Sequence, residues 1–129
     1  METQCGTKTK FISRRFRGSK AMAELHISSQ TCAGVPTVTL SGDFDSYSAP
    51  RVRVLLETLT AGPNPCIRIH LAGLEYIDST GLGVLVAALK QVTDQSGQLE
   101  LIGPTPPVLR ILHITGLDKI FSISAEPST

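Results

Sequence analysis

An α/β sandwich built on a mixed sheet is the architecture that the chain predicts, and three observations point to it. Stretches of alternating apolar and polar residues take turns with stretches of helical spacing across about a hundred residues. Gly- and Pro-rich breaks separate them. The most apolar helical stretch, residues 82–89, follows directly on an extended one. With 129 residues, 41% hydrophobic and 18% charged, the chain suits one domain whose core is large enough to stand without disulfides or a structural metal.

The chain opens with a basic stretch. Residues 1–23 hold six of the twelve Lys and Arg (Lys8, Lys10, Arg14, Arg15, Arg17, Lys20) against one acid, Glu2. They lack periodic burial and are expected to form a disordered, solvated tail. The same composition also suits contact with a phosphate-rich partner or membrane surface, a transit-type leader, or an upstream extension ahead of a natural start at Met22. From Glu24 onward six basic residues face ten acidic ones, a balance of −4 that leaves the folded part without a footprint for nucleic acid.

Residues 24–124 carry the regular pattern. Leu25 and Ile27 alternate with polar neighbours, residues 30–34 break, and residues 35–40 alternate again, which predicts a hairpin with Pro36 at a strand start or edge. Residues 41–45 contain turn formers and are expected to end that strand. Ser46 or Ser48 then precedes Ala49-Pro50, with proline at a first helical position, and Val52, Leu55, Leu56 and Leu59 form the apolar stripe of a helix that residues 62–65 stop. Residues 66–71 alternate as a third strand, and a short loop through Gly73 leads to a corner at Asp78-Ser79-Thr80. There one of three capping residues starts the apolar helix with Leu82, Leu85, Leu89 and Val92 as its stripe. Residues 98–102 read as a fourth strand. Pro106-Pro107 opens a helix carrying Val108, Leu109, Leu112 and Ile114, Gly116 closes it, and residues 120–123 supply a last strand. Residues 125–129 form a short C-terminal tail.

Several chemistries find little support. His26, His70 and His113 are far apart and none has the i, i+4 spacing of a helical zinc pair, so they read as structural and no metal is expected. Val86 stands where a dinucleotide fingerprint needs its third Gly after Gly81 and Gly83, and the residues around Ser79 do not form a Gly-x-Ser-x-Gly elbow, so neither a cofactor nor a catalytic residue is assigned. Cys5, Cys32 and Cys66 are odd in number and lack a CxxC pair. They read as free thiols in a reducing cytoplasm, with Cys66 at the start of a buried strand. The longest apolar run is too short to span a bilayer. What stands out is an exposable hydroxyl at a helix start, where partial positive charge and unpaired donors favour an added phosphate. Asp43, Asp45 and Asp78 are expected nearby, so phosphorylation would alter a partner-binding surface without changing the fold.

Residues 76–83, Tyr-Ile-Asp-Ser-Thr-Gly-Leu-Gly, resemble the signature of the STAS domain, and in particular of the bacterial anti-sigma factor antagonists. Two further blocks agree: residues 40–45 with Ala49-Pro50 are similar to the family's Gly-Glu-Leu-Asp loop and first helix, and residues 112–121 to its C-terminal block. Here Asp43-Phe44 replaces Glu-Leu, and the basic tail has no counterpart. The resemblance implies a STAS-like mixed β-sheet covered on one side by α-helices. It further implies a phosphoacceptor directly after the Asp, which is Ser79, with Thr80 as runner-up. The implied partner is an anti-sigma factor with serine kinase activity, and a serine phosphatase resets the switch. Unphosphorylated antagonist captures the anti-sigma factor and frees a sigma factor, and phosphorylation switches that binding off. Asp43, Asp45, Asp78, Ser79, Thr80, Gly81 and Leu82 are the expected partner-binding residues. The alternative is a STAS scaffold or ligand-sensing module in a signalling complex not directed at a sigma factor.

Overall fold

A computed structural model describes residues 25–124 together with the backbone of residues 8–13. Six strands form one sheet in sequence order: β1 (Lys8–Ser13), β2 (Leu25–Cys32), β3 (Val35–Phe44), β4 (Cys66–Ile77), β5 (Gln98–Ile102) and β6 (Ser122–Ser124). Helices α1 (Ala49–Leu59), α2 (Ser79–Asp94) and α3 (Pro106–Ile114) join β3 to β4, β4 to β5 and β5 to β6, with a 3-10 turn at Leu117–Lys119. β1, β2 and β3 pair antiparallel, and β3 to β6 pair parallel. Because each crossover advances one strand in the same direction, crossovers of one hand lay all three helices on the same face. The mixed sheet and its helical layer match expectation.

The helices form where their apolar stripes meet that face. Val52 and Leu56 of α1, Val84, Leu85, Ala88 and Val92 of α2, and Val108 and Leu112 of α3 are buried against Val38, Leu40, Ile67, Ile69, Leu71, Leu99 and Leu101 of the strands. Leu109 and Ile114, expected in the α3 stripe, are exposed instead. At nine residues α3 turns only a narrow side to the sheet.

Four local readings are corrected. The expected break at residues 30–34 shrinks to Ala33-Gly34, whose φ values of 53° and 82° suit a two-residue hairpin turn, so β2 runs on to Cys32. The turn formers at residues 41–44 lie inside β3, which bends there by register shifts against β4 with Gly42 at φ 101°. β4 likewise continues through Gly73, whose Cβ would stand 2.6 Å from that of Ser41, so the close approach of the two strands demands glycine. The C-terminal strand is only Ser122–Ser124, because the residues before it wind into the 3-10 turn after Gly116 at φ 79°.

The segment read as a disordered tail contains β1, which pairs with β2 over Lys8↔Gln30 to Ser13↔Leu25. The rest of residues 1–24, Cys5 included, and residues 125–129 lie outside the described residues. Cys32 is disulfide-bonded rather than free. Cys66 is free but exposed, since it alternates with Arg68 on the open face of the sheet while Ile67 and Ile69 point into the core. His26 and His113 are exposed, and His113 Nδ1 lies 2.9 Å from Asp118 Oδ2, so neither is a core histidine. No described helix is long and apolar enough to cross a membrane.

Candidate functional site

Parallel pairing of β3 with β4 sets Phe44 opposite Ile77, so the loops that leave the two strands emerge side by side at their carboxyl ends. The backbone N–H of Asp78 donates to Phe44 O at 3.2 Å and closes the corner. Asp78 is the N-cap of α2: its Oδ1 accepts from the N–H groups of Thr80 at 2.9 Å and Gly81 at 3.0 Å. Its Oδ2 accepts from the N–H of Ser46 at 3.2 Å, across 32 positions of sequence. A single carboxylate therefore starts the helix and holds the β3–α1 loop against it.

Ser79, the first residue of α2, and Thr80 are exposed, and Leu82 is half-buried against the core. Gly81 is buried, and a Cβ there would lie 2.8 Å from Phe44 O and 2.9 Å from Ile77 Cγ1, so glycine lets the first turn of α2 press onto the corner. A Cβ on Gly83 would meet nothing within 4 Å.

The other two acids face inward. Asp45 is 8% exposed, and its Oδ1 accepts from the N–H groups of Tyr47 at 3.0 Å and Ser48 at 3.2 Å and from Ser48 Oγ at 3.3 Å. Asp43 is 9% exposed, and its carbonyl accepts from Ser48 Oγ at 3.3 Å. Ser48 occupies the N-cap position of α1 without a side-chain capping bond, because its hydroxyl serves this inner network instead. Thus Asp43, Asp45 and residues 78–82 are gathered at one end of the sheet. The idea that the helix start would directly support a phosphate on Ser79 loses two of its donors, Thr80 N–H and Gly81 N–H, which Asp78 already engages. Among the described residues no group of three His, Cys, Asp or Glu is placed to hold a metal ion.

Sequence reasoning passed over Tyr47 and weighed Ser46 only as a residue ahead of the first helix. Tyr47 is 51% exposed on the loop pinned by both acids. The one local signal was an aromatic residue standing alone among turn formers ahead of a helix. Thr105 was missed too: its hydroxyl donates to Leu74 O at 2.8 Å and fastens the start of α3 to β4.

Fold and site together define a small α/β domain that presents a helix-start hydroxyl beside the carboxyl ends of its parallel strands. The chain belongs to the STAS domain family, whose model matches residues 26–128. It is 43% identical over 89 residues to the anti-sigma-B factor antagonist of Bacillus subtilis, covering 69% of this chain and 81% of that one. To the anti-sigma-B factor antagonist of Listeria monocytogenes it is 37% identical over 86 residues, covering 67% and 75%. Among solved structures it is similar to the Bacillus cell fate determinant SpoIIAA in its phosphorylated form, with a TM-score of 0.59 over 73% of this chain and 84% of that one. At 18% identity that likeness speaks for the fold alone.

Proposed function

We propose that this chain is an anti-sigma factor antagonist that works by partner switching and has no catalytic turnover of its own. Unphosphorylated, it binds an anti-sigma factor with serine kinase activity and so frees a sigma factor. Phosphorylation of Ser79 switches the binding off, and a serine phosphatase restores it. The observation that carries this reading is Ser79 itself: an exposed hydroxyl on the first residue of α2, directly after the capping Asp78. The similarity to anti-sigma-B factor antagonists supports the choice of partner. Such work belongs in the cytoplasm, where bacterial transcription takes place.

A phosphate would add nearly two negative charges at the centre of this surface, and each would have to be desolvated on docking. Incubation with the organism's anti-sigma kinase and ATP should add one phosphate by intact mass, and Ser79→Ala should take up none while still binding. Ser79→Asp should weaken the complex at least about tenfold. Phosphate retained by Ser79→Ala would move the acceptor elsewhere, Thr80 first. Equal binding by wild type, Ser79→Asp and phosphorylated chain would remove the switch.

A further inference from the structure

We infer that His113 is a second modification site, a phosphoryl acceptor at Nε2, with Asp118 as its positioning residue and phosphoramidates as its donors. It stands in the last turn of α3, at the far end from Thr105, which fastens the helix start to Leu74 O. It is thus apart from Ser79 and does not rest on partner switching. The geometry singles out one ring nitrogen. His113 has a side chain 74% exposed, and its Nδ1 lies 2.9 Å from Oδ2 of Asp118, whose side chain is 23% exposed. A carboxylate can only accept, so Nδ1 carries the hydrogen and the lone pair belongs to Nε2, across the ring.

The turn between the two residues is fixed. Gly116, at φ 79°, donates its N–H to His113 O at 3.1 Å, and Lys119 donates its N–H to Gly116 O at 3.2 Å. Oδ1 of Asp118 is buried and has no hydrogen-bond partner among the described residues. Such a carboxylate is poorly solvated, and positive charge on the neighbouring ring compensates it. A metal ion would also take an imidazole lone pair, but among the described residues no group of three His, Cys, Asp or Glu is placed to hold one. An anionic donor fits better. Arg110, one turn ahead of His113, and Lys119, next to Asp118, are both exposed and set two cations against the negative end of α3. In the transfer, Nε2 attacks the phosphorus of a zwitterionic phosphoramidate, and a new P–N bond forms as the old one breaks. The amine leaves with the bonding pair, and the ring takes the positive charge while Nδ1 keeps its hydrogen beside Asp118.

The test exposes the full chain to potassium phosphoramidate at neutral pH and locates the phosphate by peptide mapping under alkaline conditions, which preserve phosphate on nitrogen. His26, exposed on β2, is the reference within the same molecule. His113 should be labelled at least about tenfold faster than His26. His113→Gln should abolish this fast phase, and Ser79→Ala should label as wild type. Asp118→Asn keeps the shape of the side chain without its charge and should bring His113 to within about threefold of His26. Equal rates at His113 and His26 in the wild-type chain would overturn the site, a result that needs no variant to fold. A full preference for His113 in a cooperatively melting Asp118→Asn would overturn the positioning role of Asp118. Loss of the fast phase in Ser79→Ala would move the acceptor to the start of α2 and overturn the proposal.

Discussion

Gly81 and Gly83 sit two residues apart in the first turns of α2 and are under opposite constraints. A methyl on Gly81 would press on Phe44 O at 2.8 Å, Ile77 Cγ1 at 2.9 Å and Phe44 Cγ at 3.0 Å, and backbone cannot yield as a side-chain tip can. Gly81→Ala should therefore destabilise the domain by about 1–3 kcal/mol, the usual cost of overpacking. Gly83→Ala meets open space and gains helix propensity, so it should stabilise by up to about 1 kcal/mol. Urea unfolding of the two variants checks this, and equal effects would mean that Gly81 is not the contact that seats α2. Both glycines are plain in the sequence. Which of them touches Phe44 is not, because Phe44 lies on another strand.

At the level of elements, β1 changes the domain boundary drawn from periodicity. That boundary set residues 1–23 aside as dispensable, yet Lys8–Ser13 pairs with the whole inner part of β2. Removing residues 1–13 would turn β2 into an edge strand with an unpaired row of N–H and C=O groups. We expect the deletion to lower the melting midpoint by more than about 4 °C, roughly 1 kcal/mol for a domain of this size, while unfolding stays cooperative. An unchanged midpoint would return β1 to the status of a tail. The strand went unread because its period is masked by charge and polarity: Lys8, Thr9, Lys10 and Ser13 leave only Phe11 and Ile12 apolar. An edge strand needs no continuous apolar face, so hydrophobic periodicity has no purchase on it.

Across the whole molecule, the layered order of the sheet sets where it should open first. β3 and β4 are interior, flanked on both sides by strands, and their Val38, Leu40, Ile69 and Leu71 are fully buried. β6 is a three-residue edge strand carrying exposed and half-buried residues. Amide hydrogen exchange should therefore be slowest for β3 and β4 and clearly faster at Ser122–Ser124. Exchange at β6 as slow as at β4 would mean that the edge is covered. The same order would let a switch sit at one end without loosening the fold: the loops that carry Tyr47 and Ser79 leave two interior strands with fully buried residues. Phosphorylation there is expected to change contacts rather than the sheet.

Where a feature depends on near neighbours, the chain alone decided it. The three helices, the proline starts of α1 and α3, and a corner of capping residues at Asp78-Ser79-Thr80 rest on residues within a turn or two of each other. The ordered blocks at residues 40–45, 76–83 and 112–121 already pointed to the family that the matched residues 26–128 establish. The exposure of Cys66 was misread as burial, although it shares its phase with Arg68 and not with Ile67. Tertiary structure alone decided what the acids do. Asp43, Asp45 and Asp78 looked from their spacing like charges offered to a partner, but Ser46 N–H reaches Asp78 from 32 positions away and Asp45 folds back on its own loop. It also decided that residues 41–44 extend β3, because turn formers become strand when a parallel neighbour supplies hydrogen bonds at shifted register. The reason is common to both: a carboxylate or a glycine has several local options of similar free energy, and partners distant in sequence select among them.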